Sequence, residues 1–144
     1  MEQAMNMARI AYEALADKKG EDIKVLDISE ISPIADYFII SNGTSSSQVD
    51  ALVDNVEEKM HKAGYSLKQQ EGTNSGTWVL MDYGDIIVHI FDKENRSFYN
   101  LEHIWSDGRE VEMYFVLWFM QVINLCRRGN KIPCLHFACY DLYF

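Results

Sequence analysis

The sequence has little of several features that would narrow its function at once. Only 3 of its 144 residues are cysteine, and Cys126, Cys134 and Cys139 all lie in the last nineteen. Because the first 125 residues have no cysteine, a disulfide scaffold is excluded, which suits a reducing cytosol. The spacing of the three cysteines also contains no CxxC pair of the kind that binds zinc. The apolar run from Met113 to Leu125 has 13 residues, short of the ~20 that a membrane span needs. Without an apolar signal core at the N-terminus, we expect a cytoplasmic protein.

Positive charge is also scarce. The chain has 13 Lys and Arg against 22 Asp and Glu, a net charge of −9. Residues 1–113 hold 10 basic against 21 acidic side chains, whereas residues 114–144 hold 3 against 1. Because affinity for a phosphate backbone comes from Lys and Arg, direct nucleic-acid binding is disfavoured. The acidic body favours a basic protein as its partner.

What is present is the pattern of one mixed domain. The predicted elements are a helix over Glu2 to Asp17, strands over Ile23 to Ile28 and Asp36 to Ile40, a helix that follows Ser45 and ends at Gly64, a weak strand over Tyr65 to Glu71, strands over Thr77 to Met81 and Asp85 to Phe91, and a helix or helical turn over Asn95 to Ser106. The order αββαβββα predicts an α/β (α+β) fold, a mixed five-stranded sheet with flanking helices.

A change of composition predicts a domain boundary near residue 113. Residues 1–113 form the predicted αβ domain, and residues 114–144 form an apolar and basic tail. One interpretation of the tail is an added element that covers an exposed face or an oligomer interface. The other is that it is not native coding sequence, for example the product of a frameshift or a read-through.

Two short motifs resemble nucleotide chemistry. The run Gly43 to Ser47 is rich in small residues and precedes a helix, but it lacks the lysine of a P-loop, so an N-cap is favoured. Asp82 and Asp85 are three residues apart and straddle Gly84, whereas two carboxylates on one face of a strand are two apart. Turn chemistry and partner contact are therefore favoured over a metal pair. We expect no metal and no cofactor.

Aromatic side chains are concentrated in one segment. Trp78, Tyr83, Phe98, Tyr99 and Trp105 fall within 28 residues, beside carboxylates. This number exceeds what the core of one hairpin and one helix needs, so some of them are expected to be exposed. Exposed aromatic anchors beside charges are typical of a protein-binding face.

Several strings together resemble the Iojap family, whose bacterial members are the ribosomal silencing factors. They are Val25-Leu26-Asp27-Ile28, Ala35-Asp36-Tyr37-Phe38-Ile39-Ile40, Gly76-Thr77-Trp78-Val79-Leu80-Met81-Asp82-Tyr83-Gly84-Asp85, Val88-His89-Ile90-Phe91, and Arg96-Ser97-Phe98-Tyr99-Asn100-Leu101-Glu102 with Trp105. The resemblance covers about residues 4–113 and implies a fold similar to nucleotidyltransferases, without catalysis. Family members generally end near Glu112-Met113, so the tail departs from the family pattern.

The resemblance also implies a function. The chain would be a translation repressor that binds the large ribosomal subunit through a basic protein, the fourteenth of the large-subunit series, and blocks subunit joining. Carried over by motif, the docking face comprises Trp78, Asp82, Tyr83, Asp85, His89, Phe98, Tyr99 and Glu102. The alternative is a nucleotidyltransferase-like enzyme that uses Thr44, Ser45, Asp82 and Asp85 with a nucleotide and magnesium. A third possibility, self-association as a homodimer, is compatible with the first of these functions.

Overall fold

The structure, a computed structural model, describes residues 2–72 and 77–113. The chain divides into two compact units, Met1–Glu112 and Met113–Phe144, and the predicted tail over residues 114–144 lies outside the described residues. Within the described ranges, no helix has the length and apolar character needed to cross a membrane.

The described elements alternate helices with the strands of one sheet. In chain order they are α1 (Glu2–Asp17), β1 (Glu21–Asp27), β2 (Tyr37–Gly43), α2 (Ser46–Lys62), β3 (Gln69–Glu71), β4 (Trp78–Asp82), β5 (Ile86–Asp92), α3 (Lys93–Tyr99), α4 (Leu101–Ile104) and β6 (Arg109–Glu110). The strand order is β3-β4-β5-β2-β1-β6. Only β2 and β5 pair in parallel among these strands, and all other neighbours are antiparallel. The predicted mixed sheet with flanking helices is confirmed.

The predicted count of five strands is wrong, because the described part of the sheet has six. The additional strand, β6, has two residues and pairs with the outer edge of β1. Arg109 lies opposite Asp27 there, and its guanidinium contacts the Asp27 carboxylate at 3.1 Å. A charged segment of this length has no hydrophobic alternation. Only its pairing with β1 in the tertiary structure therefore defines it as a strand.

Two further elements differ from their predicted bounds. The weak strand predicted over Tyr65 to Glu71 is confined to Gln69–Glu71. The helix predicted over Asn95 to Ser106 begins at Lys93 and is divided at Asn100, whose backbone is left-handed with φ 45° and ψ 57°. A left-handed residue ends a helix, so the chain turns there and starts α4 in a new direction.

The β2 strand lies at the centre of the sheet and all seven of its residues are buried. It runs past the predicted end at Ile40 to Gly43, because its parallel pairing with β5 continues to Asp92. The α2 helix that follows begins at the predicted N-cap, where the Ser45 hydroxyl accepts a hydrogen bond from the Gln48 backbone N–H at 3.2 Å. The loop is therefore a helix cap, as predicted.

The two faces of the sheet are covered unequally. Val79, Met81, Val88 and Ile90 point to the face on which α1 and α2 pack, and all four are buried. The opposite face, called here the open face, carries a second apolar cluster that includes Phe38, Ile40, Ile87 and Phe91. Among residues 2–72 and 77–113, only the short helices α3 and α4 lie on the open face, and Trp78, Leu80 and Trp105 are no more than partly buried against its cluster.

Candidate partner-binding surface

The open face receives every second side chain of the β4–β5 hairpin. The register pairs Trp78 with Phe91, Leu80 with His89, and Asp82 with Ile87. Residues opposite each other in an antiparallel pair share a face, so these six side chains form one surface. Trp78 and Leu80 are only partly buried against the cluster below them.

An aromatic cluster joins the hairpin to α3. The Trp78 ring stacks on Phe91 with centroids 5.1 Å apart, and it contacts Tyr99 at 4.7 Å. Phe98 meets Tyr99 edge to face at 5.2 Å. The exposed fractions of Phe98 and Tyr99 are 78% and 41%. Large rings that are held by neighbours yet exposed can serve as anchors for a protein partner.

His89 lies beneath Trp78 and fixes its orientation. The Trp78 Nε1–H donates to His89 Nδ1 at 3.1 Å, so the ring proton of the neutral imidazole lies on Nε2. The side chain is 4% exposed, and Nε2 has no hydrogen-bond partner among residues 2–72 and 77–113. Burial lowers the pKa of His89 to about 4. The imidazole is therefore neutral at physiological pH and acts as an acceptor for the indole.

Arg96 holds α3 and α4 against the sheet. Its side chain is 8% exposed, and one guanidinium nitrogen donates to Asn42 Oδ1 at 2.8 Å and to the Glu21 carbonyl at 3.2 Å. Another nitrogen contacts Glu102 Oε1 at 2.7 Å and Asp22 at 3.1 Å. These contacts tie the two short helices to β1 and β2. The position of the exposed Phe98 and Tyr99 therefore depends on a buried arginine.

Glu102 belongs to this network. Burial raises the pKa of its carboxyl, but the hydrogen bond from its own backbone N–H and the guanidinium of Arg96 outweigh that effect, and the pKa lies below its ordinary value. The carboxylate is therefore charged and already paired within the chain. We predicted it as a contact for a basic partner, whereas its described contacts orient α4.

Comparison with known proteins shows the family of the chain. The model of a family described as "Ribosomal silencing factor during starvation" matches residues 1–122. The chain is 41% identical over 110 residues to the ribosomal silencing factor of Bacillus subtilis, covering 76% of this chain and 93% of that one. The protein belongs to the ribosomal silencing factor family.

Other relatives agree with this membership. The chloroplastic protein Iojap of Zea mays is 30% identical over 113 residues, with 78% of this chain and 49% of that protein covered. A crystal structure of a protein from Chromobacterium violaceum has a TM-score of 0.70 at 37% identity, covering 75% of this chain and 89% of that one. A Bacillus halodurans structure has a TM-score of 0.68 at 36% identity, covering 75% and 98%. The resemblance to the Iojap family is confirmed.

In this silencing-factor chain, Tyr83 does not lie on the open face. We predicted Tyr83 as an exposed anchor, but its side chain is 4% exposed. It follows Asp82 at the end of β4, and alternation turns its ring to the side of α2. The prediction of an exposed anchor at this position is wrong, because the sequence shows an aromatic residue in a turn without showing which face receives it.

Asp82 and Asp85 lie on different sides of the sheet. The Asp82 carboxylate accepts a hydrogen bond from the Gly84 backbone N–H at 2.7 Å, which confirms the predicted turn, and Gly84 has φ 88°. The Asp85 carboxylate accepts from the Gln3 side chain of α1 at 3.3 Å, on the helix-covered side. Of the two, only Asp82 shares the open face with Trp78.

The residues of the enzyme alternative do not assemble into one site. Thr44 and Ser45 line a cavity of about 670 Å³ beyond the C-terminal ends of β2 and β5. Asp82 and Asp85 lie beside the other end of β5, a strand of seven residues. At ~3.3 Å per residue the two pairs are about 20 Å apart. The structure therefore contradicts a shared nucleotide site built from these four residues.

The docking face carried over by motif leaves out three residues that shape the surface. Arg96 is buried and pairs with Asp22 and Glu102. Leu80 and Trp105 complete the open face, and the Trp105 ring meets Phe38 edge to face at 5.1 Å. The alternation of β4 would have placed Leu80 beside Trp78. Nothing in the sequence indicates that Arg96 is buried.

Proposed function

We propose that this protein binds the large ribosomal subunit through its open face and represses translation by blocking the joining of the two subunits. The partner on the subunit is a basic ribosomal protein, the fourteenth of the large-subunit series, at the surface where the subunits meet. The action is steric and non-enzymatic, needs no cofactor, and takes place in the cytoplasm.

The observation that carries this proposal is the exposed aromatic cluster of the open face. Phe98 and Tyr99 project from α3 while Trp78 supports Tyr99 from below at 4.7 Å. Such a preorganised set of rings loses little side-chain entropy when a partner covers it. The names of the relatives, which describe ribosomal silencing factors, support the choice of the ribosome as the partner.

Charge supports the basic character of the partner. Residues 1–113 hold 21 acidic and 10 basic side chains, so the body of the protein attracts a cationic surface and repels exposed RNA phosphates. Asp82 is the predicted carboxylate that lies on the open face without a cationic partner among the described residues. It is the candidate for an ion pair with Lys or Arg of the ribosomal protein.

The test is co-sedimentation of the full chain with purified large subunits, followed by addition of small subunits. We expect the chain to sediment with the large subunit and to lower the yield of joined ribosomes. Phe98→Ala should weaken binding by about tenfold or more, as the loss of an aromatic anchor does. The variant should stay folded, because the Phe98 side chain is 78% exposed.

Ile34→Ala is the matched control, because Ile34 is also an exposed apolar residue, 60% exposed, and it lies between β1 and β2 rather than on the β4–β5 hairpin or α3. It should bind as the parent chain does. Equal binding by Phe98→Ala and the parent would reject the open face as the docking surface. Binding that leaves subunit joining unchanged would reject the steric block.

A further inference from the structure

A groove with acidic walls runs along α2, on the helix-covered side of the sheet. Four α2 side chains, Asp54, Glu57, Glu58 and His61, follow the spacing i, i+3, i+4, i+7, which places them on one face of the helix. Across from them lie the rings of Tyr65 and Tyr83. The groove encloses about 410 Å³. It uses no residue of the open face and has no role in the proposed function.

The negative charge of this groove is only partly neutralised. Glu58 pairs with Lys62 at 2.8 Å. Neither Asp54 nor Glu57 has an ion pair or a hydrogen bond to its carboxylate within residues 2–72 and 77–113. Those two carboxylates lie three residues apart, about 5–6 Å between their Cβ atoms. A single cationic group can therefore reach both.

Tyr83 gives independent evidence that this groove can bind a hydrogen-bond donor. Its side chain is almost fully buried, yet the hydroxyl has no hydrogen-bond partner among the described residues. Burial, and then the nearby charge of Glu57, raise the pKa of Tyr83 above its ordinary value. The hydroxyl is therefore neutral, with an oxygen free to accept an N–H hydrogen bond. Buried hydroxyls are rarely left unpaired, so a donor is expected here.

The shape and chemistry of the groove favour an organic cation. Tyr65 is held in place because its hydroxyl accepts a hydrogen bond from the Asn6 side chain at 3.0 Å. Tyrosine rings attract ammonium and guanidinium groups that approach their faces. By contrast, residues 2–72 and 77–113 contain no group of three or more His, Cys, Asp or Glu side chains placed to hold a metal ion.

We propose that this groove is a second docking site, which takes an arginine or lysine side chain from a basic segment of a protein partner. The cation lies between Asp54 and Glu57, over the tyrosine rings, and donates to the Tyr83 hydroxyl oxygen. Asp54, Glu57 and Glu58 are exposed, and exposed side chains change rotamer on a nanosecond timescale, so the groove can adjust to the ligand. A planar guanidinium fits best, because it can donate hydrogen bonds to a carboxylate and stack on an aromatic ring at the same time.

The experiment is an NMR titration of the full ¹⁵N-labelled chain. The ligand is a hexapeptide of alternating arginine and glycine, and the same peptide with glutamine in place of arginine is its control. We expect saturable shifts at the amides of residues 54–61 and at the Tyr83 ring with the arginine peptide alone. The same shifts with the glutamine peptide, or no saturable shift with either, would overturn the proposal.

Three variants separate a built site from general attraction to an acidic surface. Glu57→Gln should weaken peptide binding about tenfold, and Tyr83→Phe, which keeps the ring and removes the hydroxyl, about threefold. Asp50→Asn removes the same charge from α2 outside the groove and should change the dissociation constant less than twofold. Equal weakening by Asp50→Asn and Glu57→Gln, or no effect of Tyr83→Phe, would mean charge attraction only.

A final arm identifies the source of the cation. Spermidine carries ammonium groups without a peptide backbone, and it should bind at least tenfold more weakly than the arginine peptide. Spermidine binding as tight as that of the peptide would show a polyamine site and overturn the assignment to a protein partner.

Discussion

The indole N–H of Trp78 donates to Nδ1 of His89 at 3.1 Å, across the β4–β5 hairpin. The two residues are not opposite each other, since Trp78 pairs with Phe91 and His89 with Leu80, so the bond joins diagonal neighbours. It connects the partly exposed anchor of the open face to a buried imidazole. The orientation of Trp78 is therefore set before any partner arrives.

Replacing Trp78 by Phe should lower the free energy of unfolding by about 1–2 kcal/mol, because His89 then loses its hydrogen-bond donor in a buried site. Urea denaturation followed by circular dichroism measures the difference. Trp105→Phe is the control. Trp105 packs on Phe38 through its ring, so this variant should lower the free energy of unfolding by less. A larger loss for Trp105→Phe would show that ring volume, rather than the hydrogen bond, dominates.

Stability should depend on pH through His89. Its ordinary pKa of 6.5 falls to about 4 in the folded chain because of burial. Between these values the unfolded chain binds the proton more tightly, so the free energy of unfolding falls as the pH is lowered. The contribution is fully present above pH 6.5, and about 3 kcal/mol of it is lost by pH 4.

Urea denaturation at pH 7.5, 6, 5 and 4.5 measures this loss. His89→Phe should flatten the slope over the same interval. An equally steep slope in His89→Phe would assign the pH dependence to other groups.

Replacing Arg96 by Met should destabilise the protein by about 3 kcal/mol, because it leaves Asn42 and Glu102 without the donor that pairs them in a largely buried site. Arg109→Met is matched in chemistry, but its salt bridge to Asp27 involves an exposed guanidinium. That variant should lose about 0.5 kcal/mol or less. Thermal or urea unfolding measures both, and similar losses would remove Arg96 from its structural role.

Asn100 should tolerate glycine better than any β-branched residue. Its φ of 45° is left-handed, a conformation that glycine adopts without strain. Asn100→Gly should therefore stay within about 0.5 kcal/mol of the parent, whereas Asn100→Val should cost about 1–2 kcal/mol. Unfolding curves for the two variants decide this, and equal losses would contradict a strained turn between α3 and α4.

Much of the fold could be predicted from local patterns. The helix over Glu2–Asp17 has the predicted bounds, and the Ser45 cap and the Gly84 turn are also where we expected them. Each of these depends on residues within a few positions of each other, so the sequence displays the cause directly. The β6 strand depends on pairing with a segment about 80 residues away, and no local pattern reveals it.

The docking residues show the same division. Trp78, Phe98 and Tyr99 come together on one surface, whereas Tyr83 and Asp85 turn to the side of the long helices. Alternation fixes which residues of a strand share a face, but not which face a helix covers. The homodimer and the ribosomal contact residues stay predictions.

By itself, the amino-acid sequence determined the element types, the acidic balance and the family, because periodicity, charge and motif order are properties of the chain alone. Only the tertiary structure decided which aromatic rings remain accessible, that Arg96 is a buried support, and that Tyr83 lies beside an acidic groove. These depend on distances between residues far apart in sequence, and such distances exist only once the sheet has formed and the helices have covered one of its faces.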